Sequence, residues 1–104
     1  MISPNIIGLS QITQNQINSV FKKYHLIEKV ILYGSRAKGN FKTGSDIDLM
    51  IVAPGMTLSE LLKIQDQIDD QLLPYKVDLG LLTLVDHPDL IEHIQRVGLD
   101  FYRK

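Results

Sequence analysis

The residues able to do chemistry are concentrated between Leu32 and Leu49. Leu32-Tyr33-Gly34-Ser35-Arg36-Ala37-Lys38-Gly39 places a Gly-Ser turn after an apolar run, with basic side chains following at once. A short polar run leads into Ser45-Asp46-Ile47-Asp48-Leu49, where two carboxylates stand one residue apart inside the next apolar run. Residues i and i+2 of a strand point to the same face with Cα atoms about 6.5–7 Å apart. Two like charges held so close on a partly buried strand repel and are desolvated unless cations offset them. Two Mg²⁺ ions about 3.5–4 Å apart can be held by such a pair, each also taking phosphate oxygens and water; Mn²⁺ is the alternative ion. A lone D-x-D carries a blander reading, a turn cap beside an exposed edge residue.

Asp78 is a third acidic residue inside an apolar strand, near its start, as Asp46 and Asp48 are near theirs. If the two strands are parallel and joined by the intervening helix, their starts lie at one end of the sheet, and the crossover is right-handed. Three carboxylates then converge, and the third can act as general base or complete a metal's shell. If the strand before Gly34 runs antiparallel to the Asp46–Asp48 strand, the Gly-Ser turn faces the carboxylates. Glycine lets backbone approach a ligand, and the N–H groups opening a helical turn bind phosphate oxygens. The Ser35 hydroxyl adds a hydrogen bond, and Arg36, Lys38 and Lys42 can neutralise phosphate charge. The longer Walker loop is absent.

The elements that must position these groups can be read in order. Residues 1–12 carry scattered apolar side chains without a period and form a lead-in. Thr13 and Gln16 make a capping-box pattern before a helix with Ile17, Val20, Phe21 and Tyr24 on one face, ending near His25. Lys29 to Tyr33 reads as a strand buried on both faces. Ser35 caps a short turn through Lys38 that Gly39 ends. Asp46 to Val52 is the second strand. Thr57-Leu58-Ser59-Glu60 is a capping box for a helix with Leu61, Ile64, Ile68 and Leu72 in a stripe, stopped by Pro74. Tyr75 to Leu82 is the third strand. Asp86-His87-Pro88 opens a helix with Leu90, Ile91, Ile94 and Val97 as its buried face, ended by Gly98. The tail, residues 99–104, adds at most a short strand. This predicts a compact α/β (α+β) domain spanning 1–104, a small mixed sheet flanked by helices in the order α-β-turn-β-α-β-α. His25, His87 and His93 are too scattered for a metal site and sit at helix ends or on helix faces.

Bulk properties narrow the function classes. A chain of 104 residues suggests one core, and such a domain buries roughly two thirds of its unfolded surface. The formal net charge of −1 supplies no global field for nucleic acid. The absence of cysteine removes disulfides and thiolate metal sites and fits a cytoplasmic setting. Met1-Ile2-Ser3-Pro4-Asn5 is not a signal-peptide start, and no apolar run reaches membrane-spanning length.

Gly34-Ser35, a ten-residue gap, Asp46-Ile47-Asp48 and the later Asp78 together resemble the signature of the polymerase-beta-type nucleotidyltransferase superfamily, and within it the minimal nucleotidyltransferase domains. The resemblance implies a nucleotidyltransferase fold and transfer of a nucleoside monophosphate from ATP, or another nucleoside triphosphate, with release of pyrophosphate. It implies that Gly34 and Ser35 bind triphosphate and that Asp46, Asp48 and Asp78 are the catalytic, metal-binding carboxylates. Arg36, Lys38 and Ser45 are counted with the nucleotide-binding set. Lys38 stands where a G-S-x-A-R-G pattern has arginine, keeping the charge and losing the bidentate fork. The chain has no room for acceptor-binding domains, so a second chain or a second copy is expected. The resemblance implies a helical HEPN toxin as that partner, with this chain as an antitoxin adding AMP to a toxin tyrosine. The competing reading is a binding module that neutralises its partner by contact alone.

Overall fold

The computed structural model describes residues 2–104, and its architecture is built around the run Lys29–Tyr33. This strand, β1 (Lys29–Tyr33), lies inside a four-stranded sheet with β2 (Ile47–Val52), β3 (Val77–Leu81) and β4 (Leu99–Arg103) in the order β3-β2-β1-β4. β1 pairs antiparallel with β2 and β4, whereas β2 and β3 are parallel. The helices are α1 (Pro4–Ile7), α2 (Gln11–Phe21), α3 (Gly34–Lys38), α4 (Leu58–Asp69) and α5 (Pro88–Val97), with a 3₁₀ turn at Leu82–Leu84. The mixed sheet flanked by helices is the expected fold, with α1 and β4 as additions. Among the described residues no helix is long and apolar enough to cross a membrane.

Period-2 alternation decides which face of the sheet is dry. Val30 and Leu32 of β1 and Ile47, Leu49 and Ile51 of β2 are wholly buried, in one cluster with Ile17, Val20 and Phe21 of α2 and Leu61, Ile64 and Ile68 of α4. Of the alternate residues, which point to the opposite face where α5 packs on β1, Ile31, Tyr33 and Asp48 are partly buried and Met50 is buried. Burial of the first face supplies most of the drive to fold, at about 25 cal/mol per Å² of apolar surface. The second face is left free to carry polar groups.

Several boundaries differ from the sequence expectation. The lead-in is structured: Ile7 and Leu9 are fully buried, and Gln14 donates to the Leu9 and Ile2 carbonyls at 3.1 and 3.0 Å. The N-cap of α2 is Ser10, whose hydroxyl accepts the Thr13 N–H at 3.1 Å, so Thr13 lies inside the first turn. This helix stops at Phe21 because the chain must turn to bury Ile27 ahead of β1. The Thr57–Glu60 capping box is present in full. However, α4 ends at Asp69, and Leu72 is 86% exposed with φ at 53°, a turn that returns Leu73 and Tyr75 to the core. On α5 only Ile94 of the expected stripe is fully buried. Gly98 ends α5 in extended backbone; a Cβ there would meet the Ile94 carbonyl and stand 2.6 Å from Ile31 Cγ2. β4 escapes simple alternation because a bulge between Val30 and Ile31 lets both Phe101 and Tyr102 join the core.

Candidate active site

The antiparallel pairing of β1 and β2 sets Tyr33 opposite Asp48, and the parallel pairing of β2 and β3 sets Asp48 beside Asp78. Cross-strand neighbours share a face, so Tyr33, Asp48 and Asp78 form one row across three strands. Asp46 lies just before β2 and is exposed. In the next row on this face, Ile31, Met50 and Gly80, the bare glycine leaves room for the Met50 thioether: a Cβ on Gly80 would lie 3.0 Å from Sδ.

The electrostatics follow from this row. Burial raises the Asp48 pKa, and the charges of Asp78 and Asp46 raise it further, while His93 and Lys76 act in the opposite direction. Tyr33 is raised by burial and then by Asp48 and Asp78. Lys76 Nζ is 3.7 Å from Asp78 Oδ1, but both side chains are well exposed, so the pair offsets little of the repulsion. Gln65 of α4 holds the free edge of β3 on either side of Asp78. Its amide donates to the Val77 carbonyl at 2.9 Å, and its carbonyl accepts the Leu79 N–H at 3.3 Å. Sequence periodicity marks Gln65 only as a polar helix residue; its neighbour Ile64 faces the core.

Gly34 follows β1 directly with φ at 76°, and a Cβ on it would collide with Asp48 Oδ2. Only glycine satisfies both the left-handed backbone and this approach. Gly34→Ala is expected to cost about 2 kcal/mol from backbone strain and displacement of Asp48, read as a lower denaturant midpoint at unchanged slope. Ser35 sits inside α3 and not at its cap, a position held by extended Tyr33, and Gly39 ends the helix in the left-handed region as expected. The Gly34 N–H is not open to a ligand: it donates to Nε2 of His93 at 3.1 Å.

Arg36, which the sequence offers as a phosphate-neutralising residue, is turned inward. Its side chain is only 2% exposed, and all three guanidinium nitrogens donate to backbone carbonyls. Nε and Nη2 donate to the Ser45 carbonyl at 3.1 and 2.8 Å, and Nη1 donates to the Ile7 and Gly8 carbonyls at 2.9 and 3.2 Å. The guanidinium lies over the rings of both Phe41 and Tyr75, 5.2 and 4.9 Å from their centroids. Arg36 therefore ties the N-terminal segment to the loop before β2, with its nitrogens engaged there. Ser45 serves the same loop: its hydroxyl accepts the Lys42 N–H at 2.8 Å, and its N–H donates to the Lys42 carbonyl at 3.0 Å. Lys38 and Lys42 are exposed.

The carboxylates fit a hard divalent cation by donor chemistry, since oxygen ligands suit Mg²⁺. Among the described residues no three His, Cys, Asp or Glu side chains form a ready-made cage. That suits an ion bound through one or two carboxylates and completed by substrate phosphates. Gly34 leaves open the space beside Asp48 that a side chain would fill.

Carboxylates thus stand at one end of the sheet, approached by a Gly-Ser turn. Residues 15–104 match the profile described as "Polymerase beta, Nucleotidyltransferase", and the chain belongs to this family. No curated protein matches it in sequence. Its fold is similar to that of a toxin–antitoxin complex crystallised with AMP-PNP, with TM-score 0.71 and 19% identity over 88% of this chain and 73% of that one. It is also similar to a complex of tri-AMPylated Shewanella oneidensis HEPN toxin with MNT antitoxin, with TM-score 0.67 and 18% identity over 90% and 72% of the two chains. The MntA–HepT toxin–antitoxin structure gives TM-score 0.68 and 18% identity over 91% and 74%. At these identities the likeness establishes the fold.

Proposed function

We propose that this chain is a magnesium-dependent nucleotidyltransferase that moves AMP from ATP to a hydroxyl acceptor, a tyrosine of a HEPN-type toxin, and so acts as an antitoxin. The observation that carries the reading is the row formed by Asp48 and Asp78, with Gly34 pressed against Asp48. The AMP-PNP and tri-AMPylated HEPN toxin in the structurally similar complexes support the choice of nucleotide and acceptor.

In this reading Asp46 and Asp48 hold the metal and Asp78 faces the acceptor. Bound Mg²⁺ would neutralise phosphate charge and ease ionisation of the attacking hydroxyl. The Ser35 hydroxyl donates to a phosphate oxygen, while bare Gly34 lets the triphosphate lie close to the strand end. Exposed Lys38 supplies positive charge to the triphosphate as a point charge. The acceptor oxygen bonds to the α-phosphorus as the α–β bridging bond breaks, pyrophosphate leaves with the bonding electrons, and Asp78 takes the hydroxyl proton. Positioning and electrostatics provide most of the acceleration.

The test is incubation with Mg²⁺ and α-labelled ATP, with and without the protein encoded beside it. Label is expected on that partner's tyrosine and is expected to vanish in Asp46→Asn and Asp48→Asn. Tight partner binding with no label from any nucleotide, unchanged in both variants, would establish the contact-only binding module instead.

A further inference from the structure

Gly34 is the residue of the nucleotide turn with most conformational freedom to lose, because glycine reaches both signs of φ at little cost. The structure restrains it from a distance. Its N–H donates to Nε2 of His93, 59 residues later on α5, at 3.1 Å. The His93 ring stands edge-on to Tyr33, the residue before Gly34, with centroids 6.2 Å apart and planes at 81°. α5 packs against both β1 and α3, so the imidazole is carried on an element braced against the strand and the turn it holds.

We infer that His93 is a positioning residue for nucleotide binding: it locks the Gly34 peptide so that Ser35 leaves β1 in one direction. This rests on the nucleotidyltransferase reading of the site. The Gly34 N–H, spent on His93, is not a phosphate donor, and the phosphate contacts of the turn fall to Ser35. One neutral hydrogen bond contributes about 0.5–1.5 kcal/mol net, enough to change the population of the competent turn about threefold to tenfold. Apparent affinity falls by the fraction of protein left in that conformation.

The test compares wild type with His93→Ala and with His93→Gln, whose Oε1 offers an acceptor at about the reach of Nε2. Two quantities are read: the Gly34 amide hydrogen-exchange rate by ¹⁵N NMR, and calorimetric affinity for the non-cleavable α,β-methylene analogue of ATP with Mg²⁺. His93→Ala is expected to speed Gly34 exchange and weaken analogue binding about threefold to tenfold. His93→Gln is expected to restore most of both. Unchanged affinity in His93→Ala overturns the role, and tighter affinity does so by showing that His93 is a placeholder the nucleotide displaces. Losses in His93→Ala that His93→Gln does not recover also overturn it, in favour of simple packing. Wild type that binds no Mg-nucleotide, with Gly34 protection still dependent on His93, removes the function reading and this role with it.

Discussion

Replacing Arg36 with lysine or alanine is expected to lower the melting temperature by roughly 15–30 °C, corresponding to about 3–5 kcal/mol. The magnitude follows from what the guanidinium satisfies. Four N–H···O contacts reach three backbone carbonyls, of Ser45, Ile7 and Gly8, none of which can be mutated away. Hydrogen bonds from a charged donor contribute about 1.5–3 kcal/mol each, and a buried carbonyl left without a donor is costly. Lysine keeps the charge but has no planar fork to span Ser45 on one side and the Ile7–Gly8 peptide on the other. It also lacks the planar group that lies over Phe41 and Tyr75. The environment is equally exacting about its neighbours: a Cβ on Gly8 would lie 3.0 Å from Arg36 Nη1. Circular-dichroism melts check the prediction. An Arg36→Lys protein melting within a few degrees of wild type would refute the clamp.

Asp48→Asn is expected to abolish transfer, by about a thousandfold or more if the carboxylate's share is several kcal/mol of transition-state stabilisation. The same substitution is expected to raise metal-free stability. Asp48 carries a raised pKa through burial and the neighbouring Asp78 and Asp46, so the folded state favours its protonated form. A carboxyl whose folded pKa lies above its unfolded value contributes stability at low pH that is lost as pH rises through the folded value. In chelator, Asp48→Asn should therefore melt above wild type at neutral pH, and the gap should close as pH falls below the carboxylate range. Adding Mg²⁺ should stabilise wild type more than the variant, because ligand binding to the native state raises its stability. A variant that melts well below wild type in chelator at pH 7 would contradict the assigned repulsion.

The parts of the fold legible in the sequence were those where one local signal stood uncontested. The run Lys29–Tyr33, the alternation through Ile47, Leu49 and Ile51, and the Thr57–Glu60 box each decide a local conformation by period or by a reciprocal cap. The boundaries that shifted depend on distant partners. Ile7 and Leu9 have no period to announce them, yet they are fully buried once Gln14 and Arg36 hold their backbone. The strand at Leu99–Arg103 carries a bulge that breaks the alternation by which a strand is recognised.

The site divides in the same way. Residue types and spacing alone marked the Gly34-Ser35 turn, the Asp46–Asp48 pair and Asp78 as candidates, because a tight turn and closely spaced carboxylates are local features of the chain. Only the tertiary structure decided which groups meet. The sheet order seats Asp78 beside Asp48, a pairing across a helical crossover that no local pattern encodes. Arg36 and Lys38 look alike as basic residues in one turn, but the helix sends one under Phe41 and Tyr75 and leaves the other in solvent. His93 shares the inner side of α5 with Leu90 and Val97, at offsets of three and four, and that spacing was its one sequence signal. Its acceptor role toward Gly34 exists because α5 folds back onto the strand that began the motif.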